Sequence, residues 1–463
     1  MNSKISHLID KLKNGDISRR DFIRTAGILG MSIGAAEVLA ACTTSKTSQP
    51  PSDIQFQYEG FTTVPTSPVQ HLTPQATNTP ITPPKQYTWF CQACGARFTK
   101  VDDLQSHFLD VHARLLPEIE QVEESTFRSF LKNPKRFDEK NTVFSRLAWD
   151  EGLQQRIGSV MPFVTVDDPG FLEGDALVAG AIYVDKTAGS LHPYYPGYFG
   201  HIRDHGGLYG WDDEVNTSKF PIDDPADMSA RIKEVAKFYG ADIVGITKVD
   251  PLWVYENYFE PFTGNAGPVE MDYQYAIVMG IEMKWDMIYH SPGAKASGAT
   301  ALAYSKMAEV SASLAKYIRM LGYPAIPSGN DTAQSVPLAI DAGLGELGRI
   351  GLMLSPEFGP RQRLCKVFTN LPLVPDKPIN FGIQEYCENC RACAQACPAR
   401  AILFDDRTTD QTSISNRPGI LRWPVNVEKC YTFWQENGGI DCANCVAACP
   451  WSLQPRRNIF KDS

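Results

Sequence analysis

Cys387-Glu388-Asn389-Cys390-Arg391-Ala392-Cys393-Ala394-Gln395-Ala396-Cys397-Pro398, and then Cys430 followed by Cys442-Ala443-Asn444-Cys445-Val446-Ala447-Ala448-Cys449-Pro450, decide how the C-terminal end of this chain folds. Thiols this crowded in turn-rich loops cannot form separate disulfide bridges, so metal ligation is the better reading. Each loop wraps three thiolates around one four-iron four-sulfur cube. The cysteine before proline, a helical turn further on, reaches the other cube, as in two-cluster ferredoxins. This predicts one cluster on Cys387, Cys390, Cys393 and Cys449 and a second on Cys397, Cys430, Cys442 and Cys445. Structural zinc is the weaker reading, because zinc sites rarely interlock two such runs. Two cubes this close conduct electrons, which leaves the question of where the electrons go.

Of the twelve cysteines, four remain. Cys91-x-x-Cys94 is followed after twelve residues by His107 and after four more by His112, with Phe98 and Leu104 at the small-core positions of a zinc finger. Two thiolates from a hairpin and two imidazoles from a helix would close a tetrahedron around zinc, so a finger-like unit is expected over 87–113. Its helix would offer Asp102, Asp103 and Asp110 to a nucleic acid and repel phosphate, so a structural or protein-contact role is expected. Cys42 and Cys365 stand alone.

The chain has 463 residues, 43% of them hydrophobic, enough for a sizeable core, and a net charge of −9 that gives no global attraction for nucleic acid or an anionic membrane. At its start, Arg19-Arg20 precedes a short apolar stretch, the form of a twin-arginine export signal over 1–42. The stretch ends Leu39-Ala40-Ala41-Cys42, which resembles a lipobox. Residues 43–86 are rich in Thr, Pro, Ser and Gln and read as an extended linker.

Between about 150 and 375, strand-like and helix-like stretches alternate. Ala241–Thr247 and Tyr275–Ile281 are short β-branched apolar runs. Ala301–Leu321 carries apolar residues at helical spacing and stops at Gly322. An α+β or α/β core with helices on a sheet follows. His192, His201, His205 and His290 read as satisfied or exposed histidines.

Ile326-Pro-Ser-Gly-Asn-Asp-Thr332, Ala342-Gly-Leu-Gly-Glu-Leu-Gly-Arg349 and Tyr304-Ser-Lys-Met-Ala308, standing before the paired cysteine motifs, resemble the reductive dehalogenases of organohalide-respiring bacteria. The resemblance covers roughly 150–455. It implies an α+β fold: a nitroreductase-like cobalamin-binding core over 114–378, with the corrinoid base-off, and a two-cluster ferredoxin-like domain over 379–463. The absence of a D-x-H-x-x-G motif agrees with base-off binding. By resemblance, Tyr255 protonates the carbon as halide departs, with Tyr258 as its rival, and Lys306 is the basic residue beside it. A phenol near pKa 10 keeps its proton at neutral pH, and a cation stabilises the phenolate left behind. Ser328, Gly329 and Asn330, with Gly343, Gly345 and Gly348, are implied contacts of the corrinoid.

The implied substrate is a small organohalide. The implied partners are a membrane anchor protein or an electron-donating respiratory partner, with no nucleic acid. The implied location is the outer face of the cytoplasmic membrane, lipid-anchored if Cys42 is acylated. Two competing readings are an epoxyqueuosine reductase-like enzyme, which the export signal and acidic chain oppose, and a non-catalytic iron–sulfur carrier, which would not need so large a core.

Overall fold

The computed structural model describes residues 89–90, 96–98, 103, 106–107, 119–157, 173–188, 214–259 and 264–453. The chain divides into two units, Met1–Thr88 and Trp89–Ser463, and every described residue belongs to the second. Arg19, Arg20, Cys42 and the linker lie outside the described residues, as do Cys91, Cys94, His112, His192, His201 and His205. In the finger-like stretch, Trp89–Phe90 pairs antiparallel with Arg97–Phe98, and the His107 ring lies 4.9 Å from that of Phe98.

Strands β1 (Ile243–Lys248), β2 (Tyr275–Glu282), β3 (Ala325–Ser328) and β4 (Gln362–Thr369) form one sheet in the order β1-β2-β4-β3. Every junction is antiparallel. Because side chains alternate along a strand, Ile277, Met279, Ile281, Cys365 and Val367 fill one apolar cluster while Ala276, Val278, Leu364 and Phe368 fill another. Both faces are therefore covered, which is why the strands read as continuous apolar runs. Gly280 pairs with Ile243 across β1 and β2, and a Cβ there would stand 2.6 Å from Ile243 Cγ1.

Helices α1 (Pro225–Phe238) and α2 (Ala294–Met320) cover the first face, and α3 (Ser335–Asp341) covers the second. Helix α1 starts where Asp224 accepts from the Ala226 N–H at 2.8 Å and Pro225 takes the first turn. Leu314 and Ile318 of α2 are fully buried, each worth about 1.5–3 kcal/mol of burial. Helix α2 begins seven residues before the expected start. Its opening turns, Ala294-Lys-Ala-Ser-Gly-Ala-Thr300, lack large apolar residues and are small so that another helix can approach: Leu177, on Glu173–Ala181, would lie 3.2 Å from a Cβ on Gly298. Leu302, one of the apolar residues at helical spacing, is 46% exposed. The helix stops before Gly322, whose φ of 86° suits glycine. Helices packed on an antiparallel sheet make an α+β arrangement and exclude a parallel α/β core.

The cysteine-rich segment contributes α4 (Ile383–Asn389), α5 (Ala392–Ala396), α6 (Val427–Glu436) and α7 (Asn444–Ala447). Cys387, Cys393, Cys449, Trp423 and Trp451 belong to the same apolar cluster as the first sheet face, so this segment is seated on the core. Among the described residues, no helix is long and apolar enough to cross a membrane.

Candidate active site and cluster-binding segment

The segment carrying Tyr255 is fixed by its own chemistry. Asp250 accepts from the Leu252 N–H at 2.9 Å and starts the turn Pro251–Trp253. Trp253 is fully buried, and its Nε1–H donates to Asp341 Oδ2 at 2.8 Å, at the end of α3. The same carboxylate accepts from Ser125 Oγ at 2.9 Å and Arg128 Nη2 at 2.5 Å. Arg136 donates to the carbonyls of Val254, Tyr255 and Val269. The Tyr255 N–H donates to the Thr332 carbonyl at 3.0 Å, and the Gln334 N–H donates to that of Trp253 at 2.9 Å. The loop after β3 is thus stitched to the tyrosine. Thr332 joins it with φ 66°, which a β-branched residue rarely adopts, so local strain sits beside Tyr255.

Against this stitch opens a cavity of about 620 Å³. Tyr255, Gly329, Asn330, Gln334 and Ser335 line one part of it; Leu347, Gly348, Gly351 and Trp423 line another. The Tyr255 hydroxyl lies 3.4 Å from the Asn330 carbonyl, a long hydrogen bond that commits its proton only weakly. Burial, followed by the charges of Glu139 and Asp331, raises the phenol well above its ordinary range, while Arg417 opposes them. The hydroxyl therefore carries its proton at any working pH. Arg417 lines the same cavity, and its guanidinium donates to the Lys135 and Leu252 carbonyls and to Gln334 Oε1. Burial, and then its neighbour Arg422, brings Arg417 down to about 10, still charged at neutral pH.

Lys306 does not join Tyr255. It is exposed on α2 and absent from the cavity lining, whereas Tyr304 and Met307 on either side of it line the cavity. One residue is about 100° around a helix, which turns Lys306 away. The cation that acts on Tyr255 is Arg417. Tyr258 is half-buried in the strand Asn257–Phe259, with its ring against Gly267: a Cβ there would lie 2.9 Å from Tyr258 Cε1. It does not line the cavity.

Gly329 and Asn330 line the cavity, but Ser328 is buried behind them, where its hydroxyl donates to Asp331 Oδ1 at 2.6 Å. Gly343 and Gly345 differ from expectation. A Cβ on Gly343 would overlap the Lys377 carbonyl and one on Gly345 the Leu354 carbonyl, so both glycines admit the protein's own backbone. Gly348 alone of the three lines the cavity. Lys366 of β4, fully buried, donates to the carbonyls of Gly329 and Asp331 and to Ser335 Oγ, holding the loop from below. No motif marks Lys366 or Arg417. A lysine at an inward register position of an apolar strand is a signal that could have found the first.

Cys387, Cys390, Cys393 and Cys449 together line a second, small hollow of about 20 Å³, with Arg349, Ile350, Leu354 and Trp451 around them. Burial pushes Cys387 and Cys393 up to about 12 and Cys449 well above the thiol range. Cys430 is raised to about 12 by burial and by the charges of Cys442 and Cys397, and the same three act on Cys445. The first four thiols, which share the hollow, are the four expected on one cube. Cys393 also acts on Cys445. Among the described residues, no three His, Cys, Asp or Glu side chains close on the position of a single metal ion. Four thiols gathered round one hollow, with apolar Ile350, Leu354 and Trp451 and the Arg349 cation beside them, fit a cube, which takes four thiolates at its corners and spreads their charge. Cys365 is different: it is fully buried in β4 and raised to about 12 by burial, a packed core thiol.

Residues 347–351 separate the two spaces. Leu347, Gly348 and Gly351 face the large cavity, and Arg349 and Ile350 face the thiol-lined hollow.

A family model described as a 4Fe-4S dicluster domain matches residues 386–453, which contain all eight of these cysteines. The tetrachloroethene reductive dehalogenase of Sulfurospirillum multivorans is 36% identical over 310 residues, 60% of this chain and 61% of that protein. The chain resembles the reductive dehalogenases. One from Desulfitobacterium hafniense, also named tetrachloroethene reductive dehalogenase, is 36% identical over 53% of each chain. Among solved structures, the catabolic reductive dehalogenase NpRdhA in complex with 3-bromo-4-hydroxybenzoic acid matches with a TM-score of 0.54 and 28% identity. That match covers 72% of this chain and 44% of the other. This chain therefore spans 61% and 53% of the lengths of these two relatives.

Proposed function

We propose that the chain is a reductive dehalogenase that takes an organohalide, two electrons and a proton to the dehalogenated product and halide. One observation carries this reading. A cavity presenting a protonated phenol, Tyr255, shares the wall 347–351 with a hollow lined by four cysteines. Electrons delivered on one side of that wall and a proton held on the other are what replacing a carbon–halogen bond by carbon–hydrogen requires.

The cavity fits the corrinoid that the reading implies. Its lining mixes amide and hydroxyl groups of Asn330, Gln334 and Ser335 with apolar Met307, Val336, Pro337 and Leu347, as an amide-fringed macrocycle would need. Gly329, Gly348 and Gly351 keep parts of the lining to backbone. A base-off corrinoid would supply a low-valent metal centre able to take the halogen-bearing carbon. This chain holds the Tyr255 hydroxyl toward the cavity, keeps its proton on by burial and sets the Arg417 charge against the phenolate that proton loss would leave. The eight cysteines would hold two cubes in the crossed quartets, with the wall 347–351 standing between the large cavity and the thiols of Cys387, Cys390, Cys393 and Cys449.

The Arg19-Arg20 segment fits folded export, with the enzyme at the outer face of the membrane and a membrane anchor or respiratory donor supplying electrons; Arg19→Lys with Arg20→Lys should leave the precursor inside the cell. The finger-like stretch is a candidate zinc site, to be decided by elemental analysis.

The function itself is tested by supplying full-length, iron- and corrinoid-loaded protein with titanium(III) citrate and a panel of chlorinated and brominated alkenes and phenols. Halide release from at least one class, absent without corrinoid, is expected. Reduction of epoxyqueuosine in transfer RNA, with no halide release from any compound, would overturn it.

A further inference from the structure

Arg349 is 1% exposed in the wall between the two spaces. Its Nε donates to the Cys387 carbonyl at 3.0 Å and its Nη2 to that of Glu388 at 3.2 Å. Its Nη1 donates to the carbonyls of Leu403, Phe404 and Asp405 at 2.9, 3.2 and 2.9 Å. All five acceptors are neutral. Among the described residues, no carboxylate pairs with this guanidinium. Burial works against its charge most and the Arg391 cation adds to that; the groups that would favour it are Cys393, Cys387 and Cys390, which carry negative charge only as thiolates, the form in which they would bind a cluster. One of its faces is closed by the Trp423 ring, 4.5 Å away. A buried cation without a counter-ion is costly, and it is relieved only when negative charge enters the hollow beside it.

We propose that Arg349 is a positioning charge that raises the reduction potential of the cluster held by Cys387, Cys390, Cys393 and Cys449. The proposal rests on reading those cysteines as ligands of a four-iron cube. Such a cube with four thiolates is already negative, and taking one electron from a low-potential donor adds one more negative charge without making or breaking a bond. A fixed cation in a dry site stabilises the more negative state more strongly. The five carbonyl bonds keep the guanidinium from moving with that charge, so its field is present before the electron arrives. Charge near a cluster is one of the means by which a protein sets its potential.

The test is a potentiometric titration followed by electron paramagnetic resonance on the full-length, iron-loaded chain, with titanium(III) citrate as donor and no corrinoid or substrate. At the wild-type midpoint of the cluster, Arg349→Gln should lower the ratio of reduced to oxidised cluster by about tenfold, a downward shift of about 59 mV for a one-electron couple. The cluster on Cys397, Cys430, Cys442 and Cys445 should keep its midpoint. Arg349→Lys, which keeps the charge but not the fork, should recover most of the shift. An unchanged midpoint in Arg349→Gln, or a fall in Arg349→Lys as large as in Arg349→Gln, would overturn the proposal, the second by assigning the effect to the carbonyl bonds.

Should Arg349→Gln take up no iron, Arg349→Met, which also removes the charge but keeps a long side chain against Trp423, takes its place. A downward shift of similar size is expected, and an unchanged midpoint would overturn the proposal. Failure of the wild-type chain itself to take up two cubes would instead remove the cluster reading, a different result from an unshifted midpoint.

Discussion

Two guanidinium groups lie over the Trp423 ring, with Arg349 4.5 Å from its centre and Arg407 at 4.1 Å. Trp423 lines the large cavity and Arg349 lines the thiol hollow, so this stack joins the two sites. Trp423 is 3% exposed, and Trp423→Ala should cost about 3–5 kcal/mol, as expected for deleting a buried indole. Trp423→Phe, which keeps a ring beside the cations, should cost under about 1.5 kcal/mol. Denaturant unfolding of both variants checks this; equal losses would show that the ring does not matter.

Asp341 gathers Ser125, Arg128 and the indole of Trp253 on one carboxylate, and Trp253 is two residues from Tyr255. Asp341→Asn should destabilise the protein by about 3 kcal/mol, because it leaves buried donors and the Arg128 charge incompletely matched. A change under about 0.5 kcal/mol in urea unfolding would show that the network contributes little.

Burial lowers Lys366 to about 8 from the ordinary 10.5, with Asp331, Cys365 and Glu139 opposing. Between these two values the unfolded chain binds the extra proton, so stability rises with pH across this window, and the cost of the buried ammonium is present in full below pH 8. The unfolding free energy of the wild type, minus that of Lys366→Met, should climb by about 3 kcal/mol through that window and stay level below it. A level difference throughout would mean that Lys366 is not held below its ordinary range.

Tyr255→Phe removes a hydroxyl and little volume, so iron and corrinoid content should be unchanged. Turnover should fall by about a hundred- to ten-thousandfold, the range for loss of a general acid. Tyr258→Phe should leave the rate within about threefold, since that ring packs on Gly267 outside the cavity. The reverse pattern would transfer the role to Tyr258.

How much of this was legible depends on how local each signal is. The dicluster segment is legible because the cysteine spacing within one loop is set by the loop itself, and the strands and Gly322 because their patterns are local. Tyr255 and Tyr258 could not be separated by motif, since only the strand Asn257–Phe259 and Gly267 decide which ring meets the cavity. Lys306 was misplaced because a residue one step from an inward-facing position on a helix points elsewhere. Arg417 reaches the cavity from the connection between the two cysteine runs, a return of the chain that only tertiary packing shows. The glycines at 343 and 345 looked like ligand contacts because a close approach to backbone and one to a cofactor make the same demand on sequence.

The most direct measurement of the central claim is stoichiometric. Full-length protein loaded with iron and corrinoid is given an organohalide that it accepts and a counted amount of reduced one-electron donor, and halide and product are quantified together. One halide and one carbon–hydrogen bond per two electrons, with solvent deuterium appearing at the carbon that lost halogen, are expected. Halide released without electron consumption, or at an unchanged rate from corrinoid-free protein, would contradict it.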